Sequence, residues 1–168
     1  MRPLSRTLLQ KAELPALLVS DLTNIRYLTG VAVSTGIVLV LPKSYVLFVD
    51  SRYTETAAQD ARSGVTVRSI AALPKAMKSV QLCGFESQDV TVDRYRRWKG
   101  QFLNTKFVQS RNVVEEFRRA KDDEELRYIR RSARITQELL RRIPASLRGG
   151  ITERALAWKI EQWARELG

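Results

Sequence analysis

Apolar residues in the first two thirds of the chain come in short runs separated by turn formers, whereas in the last third they recur at helical steps. Residues 16–19, Ala-Leu-Leu-Val, make a compact strand between Pro15 and the polar pair Ser20-Asp21. Residues 25–29 predict a second strand ending at Gly30. The clearest signal is a hairpin: 36–41 and 45–49 are apolar almost throughout and flank Pro42-Lys43-Ser44. Two such arms predict central strands covered on both faces. Asp50-Ser51 offers a cap for a helix over 52–62, and 65–68 alternates as an edge strand would. A helix over 70–78, a strand over 80–83 closed by Gly84, a helix over 89–98 and a short strand at 107–108 follow. This alternation predicts a mixed α/β layered domain of about 120 residues.

The pattern changes near residue 112. From Asp122 to about Arg142 one long helix is expected, with Leu126, Ile129, Ala133, Ile135 and Leu140 as an imperfect apolar stripe. A break spans 144–150. Thr152 then caps a second amphipathic helix carrying Leu156, Ile160, Trp163 and Leu167. Two such helices need a partner for their apolar stripes, and the chain stops directly after the second. The expectation is one complete domain, 1–120, and the opening helices of another, 121–168.

Composition narrows the chemistry. The 168 residues include one Cys and no His. A lone Cys83 rules out an internal disulfide framework and a multi-Cys metal site. Lack of His removes Ser-His-Asp and Cys-His arrangements and the usual general base near neutral pH, which argues against a self-contained hydrolase of a familiar kind. The net charge of +11 raises the question of nucleic acid. However, residues 1–84 hold 10 of the 29 basic and 5 of the 18 acidic side chains, so the excess is spread through both halves. Mixed runs such as Glu115-Glu116-Phe117-Arg118-Arg119 read as salt-bridged helix surface. No nucleic-acid partner is expected. The longest apolar runs are far short of a membrane span, and Lys11 and Glu13 interrupt any signal-peptide core. Cytoplasmic residence with no membrane partner is therefore the expectation.

Three polar segments are candidates for function. Asp21, Asn24 and Arg26 cluster ahead of Gly30, where Asp and Asn commonly bond local backbone and Arg26 and Tyr27 could reach a pocket rim. Asp50, Arg52 and Tyr53 follow a very apolar strand, a usual place for functional groups in α/β folds. Gly84-Phe85-Glu86-Ser87 sets an apolar anchor beside a carboxylate at another strand end. The four acids at 122–125 complement a helix start. Cys83 reads as buried packing.

In this order, Asn24-Ile25-Arg26-Tyr27-Leu28-Thr29-Gly30, Leu47-Phe48-Val49-Asp50-Ser51-Arg52-Tyr53, Gly84-Phe85-Glu86, residues 113–121 with the acids after them, and Gly150-Ile151-Thr152-Glu153 form a recognisable set. The chain resembles the creatinase/prolidase N-terminal domain followed by the first helices of the pita-bread domain, closest to the Xaa-Pro aminopeptidase (aminopeptidase P-like) branch. Val31 departs from the Phe that relatives often carry after Thr-Gly.

The resemblance implies a parent metallopeptidase that removes a residue preceding proline, using two divalent ions, commonly manganese or cobalt, held by two Asp, one His and two Glu. None of those motifs occurs in these residues. The expected catalytic, cofactor and metal residues of this chain are therefore none, and the chain alone is expected to be inactive. The resemblance further implies an accessory role in homo-oligomer assembly and active-site access, with peptide substrate bound only alongside the catalytic domain. Asp21, Asn24, Arg26, Arg52 and Tyr53 are the candidates for that assembly or cleft-facing surface. A stand-alone protein-binding module and a creatinase-type amidinohydrolase fragment are the alternatives.

Overall fold

Six strands join into one mixed sheet in the computed structural model, which describes residues 4–168. Residues 1–3, including the expected start of the first domain, lie outside the described residues. In chain order the first unit contains α1 (Leu4–Ala12), β1 (Leu17–Val19), α2 (Leu22–Thr29), β2 (Ile37–Leu41), β3 (Ser44–Val49), α3 (Thr54–Asp60) and β4 (Val65–Ser69). A 3-10 turn at Ile70–Ala72 leads into α4 (Leu73–Met77), β5 (Leu82–Glu86), α5 (Val92–Gln101), β6 (Lys106–Ser110) and α6 (Val113–Arg119). The spatial order is β4-β3-β2-β1-β5-β6. β2 pairs antiparallel with both β1 and β3, while β3–β4, β1–β5 and β5–β6 are parallel.

The expected hairpin is present, with Val40 opposite Tyr45 and Ile37 opposite Phe48. Its arms are interior strands, which explains their nearly unbroken apolar sequence. Side chains alternate between two cores because successive strand residues face opposite sides. Leu17, Val19, Val38, Val40, Leu47 and Val49 pack with Leu8 of α1, Ile25 and Leu28 of α2, Ala57 of α3 and Val114 of α6. Leu18, Leu39, Phe48, Cys83 and Phe85 pack on the other side with Leu73 and Met77 of α4 and Trp98 of α5. β4 lies at an edge and is mostly exposed, as its alternating sequence predicts.

Four expectations need correction. The strand expected over 80–83 and closed by Gly84 is β5, which runs from Leu82 to Glu86 with Gly84 inside it. Residues 25–29 belong to α2, not to a strand. Asp21 caps that helix by accepting from Asn24 N–H at 2.8 Å, and Gly30 closes it at φ 81°, a left-handed conformation suited to glycine. Nor does Asp50-Ser51 cap α3: Tyr53 occupies the N-cap position without a side-chain bond. Finally, Pro144 does not end the long helix that precedes it, because the helix runs two residues further.

That long helix, α7 (Asp123–Ser146), and α8 (Glu153–Leu167) make up the second unit, residues 120–168. Asp122 and Glu125 form a reciprocal capping box at the start of α7, and Thr152 caps α8 through Ala155 N–H. Arg142 of α7 lies 3.8 Å from Glu166 and over the ring of Trp163, both on α8. Neither helix has a buried residue, and Ile129, Leu140 and Trp158 are largely exposed.

Candidate functional site

The C-terminal ends of β1 and β5 lie side by side, because the two strands pair in parallel. Between them, the chain after β1 turns into α2 and the chain after β5 turns toward α5. Glu86, the last residue of β5, occupies this junction and is only 9% exposed. Its Oε2 accepts the backbone N–H groups of Ser20 at 2.7 Å and Asp21 at 2.8 Å. Its Oε1 accepts from Asn24 Nδ2 at 2.6 Å. One carboxylate thus fixes the turn that starts α2 and the first turn of α2 itself.

Asn24 carries the connection onward. It is fully buried. Its Nδ2 also donates to Glu115 Oε1 at 2.6 Å, and its Oδ1 accepts from Arg118 Nη1 at 2.7 Å. Both partners belong to α6, so the side chain of Asn24 joins β5 to α6 through α2. Ser20 Oγ donates to Asp89 Oδ2 at 2.5 Å, tying in the loop after β5. A cleft of about 130 Å³ opens beside this cluster, lined by Asp21, Glu86, Asp89, Ser110, Asn112 and Glu115 among others.

Burial dominates the electrostatics of Glu86. It disfavours the charged carboxylate and pushes its pKa up to about 7, with the three N–H donors opposing the rise and Glu115 adding to it. Earlier on the same strand, burial likewise pushes the Cys83 thiol up to about 12. At this pKa and in this core, Cys83 is no nucleophile.

The five residues singled out from sequence fall in three places. Asp21 and Asn24 belong to the Glu86 cluster, Asp21 as the α2 cap and Asn24 as its buried centre. Arg26 is exposed on α2. Arg52 and Tyr53 form a separate cluster after β3. Arg52 Nη2 donates to Asp50 Oδ2 at 2.6 Å, and this contact holds the Asp50 carboxyl below its usual range. The Arg52 guanidinium lies over the Tyr53 ring at 5.8 Å, and the Tyr53 hydroxyl meets Ser34 Oγ at 2.8 Å.

Glu115 and Arg118 were not among the sequence candidates, and Glu86 entered only as part of the Gly84–Ser87 segment, outside the five surface residues. The signal available for Glu86 was a carboxylate closing an apolar run, Leu82-Cys83-Gly84-Phe85, at a strand end. Glu115 and Arg118 sat inside a mixed charge run with nothing local to distinguish them.

The carboxylates beside the cleft are held by the protein's own donors: Glu86 as above, Asp21 by Asn24 N–H, Asp89 by Ser20 and Glu115 by Asn24. Among the described residues no group of three or more His, Cys, Asp or Glu could hold a metal ion. A two-metal centre does not fit these side chains. No helix of the described residues is long and apolar enough to cross a membrane.

The model of the creatinase/prolidase N-terminal domain family matches residues 4–120. The chain belongs to that family. An uncharacterised peptidase of Bacillus subtilis, YqhT, is 25% identical over 97% of the chain and 48% of its own length. A Xaa-Pro dipeptidase from Bacillus anthracis superimposes with a TM-score of 0.82 at 24% identity, covering 98% of this chain and 48% of that one. The N-terminal domain of the cytoplasmic peptidase PepQ from Mycobacterium tuberculosis is 33% identical, with a TM-score of 0.60, over 68% of this chain and 95% of that domain. The chain therefore spans about half the length of the curated relative it matches. Within this creatinase/prolidase N-terminal domain, the Glu86–Asn24 cluster joins β1, α2, β5 and α6 into one unit.

Proposed function

We propose that this chain is the N-terminal, non-catalytic part of a metal-dependent Xaa-Pro peptidase, supporting assembly of the parent enzyme and access to its active site. The match of residues 4–120 to the creatinase/prolidase N-terminal domain carries this reading, alongside similarity to peptidases about twice as long. Residues 1–120 act as the accessory domain and 121–168 as the opening helices of a pita-bread domain. The exposed apolar side chains of α7 and α8 support the second assignment.

In this reading the parent enzyme would use two divalent ions, manganese or cobalt, which would supply Lewis acidity toward the scissile carbonyl and make a water molecule more acidic. They are held by parts of the parent enzyme that this chain does not match. The chain's own residues offer an α/β support, with Asp21, Arg26, Arg52 and Tyr53 as candidates to face a subunit neighbour or the cleft and Asn24 buried within the support. The parent is a cytoplasmic homo-oligomer acting on peptides, without nucleic-acid or membrane partners.

The test is an Xaa-Pro peptide assay on the purified chain with manganese or cobalt, run beside the product of the uninterrupted reading frame. No turnover by the chain, and metal-dependent turnover by the longer product, are expected. Turnover by the 168-residue chain itself would overturn the assignment. The Arg52→Glu/Tyr53→Ala variant of the longer product should show weaker assembly by light scattering or a raised KM; unchanged values for both would remove these residues from the proposal.

A further inference from the structure

We propose that Glu86 and Asn24 form a proton-operated latch that fastens α6 to the strand ends of the sheet, closed while Glu86 is ionised and released when it takes up a proton. Hydrogen-bond polarity underlies the latch. All three partners of the Glu86 carboxylate donate: Ser20 N–H, Asp21 N–H and Asn24 Nδ2. The three donors fill three of the carboxylate's roughly four acceptor positions, and a proton taken up at the Oε1 position that faces Asn24 Nδ2 displaces that donor.

Asn24 cannot absorb that change. Its Nδ2 lies between two carboxylates, Glu86 and Glu115, and its Oδ1 faces the guanidinium of Arg118. This arrangement permits one orientation of the amide. If Glu86 became a donor toward Asn24, the amide would have to turn over to present Oδ1. It would then set Nδ2 against Arg118 and leave Glu115 without its donor, losing both contacts to α6. If the amide stayed, the contact to Glu86 would be lost instead. Either way the β5–α2–α6 chain of bonds is broken at one point, and it cannot be repaired by side-chain rotation alone.

Burial, more than the charged surroundings, favours the proton on Glu86. From the β1–α2 turn comes Asp21, whose carboxylate is engaged by Asn24 N–H. The loop after β5 contributes Asp89, which accepts from Ser20 and lies 3.7 Å from Arg94 of α5. From α6 come Glu115 and Arg118, and the adjacent Glu116 pairs with Lys11 of α1. Four carboxylates, Asp21, Glu86, Asp89 and Glu115, thus surround one small cleft. Glu86 is the most buried of them. Burial raises its pKa to about 7, which sets the working range near neutrality.

The consequence concerns α6. This helix is the last element of the first unit, and the second begins at Ala120, the residue after its end. A proton at Glu86 therefore changes how firmly the connecting helix is held to its own domain.

The experiment is an NMR titration of the full chain from about pH 8.5 to about pH 5.5. It follows Glu86 13Cδ, Asn24 15Nδ2 and the exchange of α6 amides corrected for intrinsic rate. Glu86 and the Asn24 amide should titrate with one shared midpoint well above the ordinary carboxylate range. Protection of the amides of residues 117–119 should fall in step, by about threefold or more. Glu86→Gln, a neutral mimic, should show the released exchange pattern even at the alkaline end. An ordinary carboxylate midpoint for Glu86, or an Asn24 amide and α6 indifferent to its titration, would overturn the latch. The wild-type titration decides the matter by itself should Glu86→Gln fail to fold.

Discussion

Arg118 donates to Asn24 Oδ1 at 2.7 Å, joining two residues 94 positions apart in the chain. Asn24 is fully buried, and its amide also supplies a donor to Glu86. Replacing it with Ala would leave Glu86 Oε1 short of a donor in a site with little water access. Asn24→Ala is expected to lower unfolding free energy by about 2–3 kcal/mol. Asn24→Asp should cost more, since it sets a third carboxylate against Glu86 and Glu115. Urea denaturation of the two variants checks both the loss and its order.

Glu86 also makes global stability depend on pH, with a definite sign. Its folded pKa of about 7 lies above the ordinary 4.5, so the native state binds this proton more tightly than the unfolded chain does. The resulting penalty is absent below the ordinary value, grows through the window between the two and is complete above the folded value. Lowering pH from about 8 to about 6 should therefore add about 1 kcal/mol from this group. Glu86→Gln should lack that increment. A flat wild-type difference, relative to the variant, would show that the carboxylate is not so perturbed.

Gly84 sits where β5 passes closest to the segment before β1. A Cβ there would overlap the side chain of Leu14 and come within 2.9 Å of Leu17 Cδ1. Gly84→Ala is expected to destabilise by roughly 1–3 kcal/mol through overpacking. Thermal melts would show this, and pairing the change with Leu14→Ala should recover part of the loss.

Cys83 should be silent toward thiol reagents in the native protein, because it is fully buried and its thiol is pushed up to about 12. Modification by a disulfide reagent at neutral pH should become fast only on addition of denaturant. Fast labelling of the folded chain would contradict the packing described.

The capping box at Asp122 and Glu125 offers a local test of the second unit. Asp122→Ala should reduce helicity or unfolding free energy by about 1 kcal/mol. Circular dichroism on a temperature ramp would detect it.

Much of the fold can be read from the sequence because its signals are local. The hairpin announces itself by two apolar arms around Pro42-Lys43-Ser44, and α7 and α8 by their caps and apolar steps. The error at 25–29 has a local cause as well. Ile25, Tyr27 and Thr29 favour strands, and the run is short enough for either reading. What decides for helix is the capped frame, Asp21 before it and Gly30 after, with Ile25, Leu28 and Thr29 on one buried face. The Glu86 cluster is illegible for a different reason. Its members come from positions 20–24, 86 and 115–118, and no spacing within any one segment shows that a carboxylate will be enclosed by donors from two others. Arg26, Arg52 and Tyr53 stood out as charged or aromatic residues at element ends, a property that says nothing about which of them meet.

β1 is only three residues long, yet it separates the β2–β3 hairpin from the β5–β6 pair in the sheet. Its bond to β2 closes a short loop, whereas its bond to β5 must bring together Leu18 and Phe85 from far apart in the chain. Loop-closure entropy then orders the folding reaction. The β1–β3 meander can collapse early, while β5 and β6 wait for an intervening stretch of chain to be gathered in. Until β5 docks, the hydrogen-bonding edge of β1 stands open, and it is there that a nascent chain would pair with the wrong neighbour.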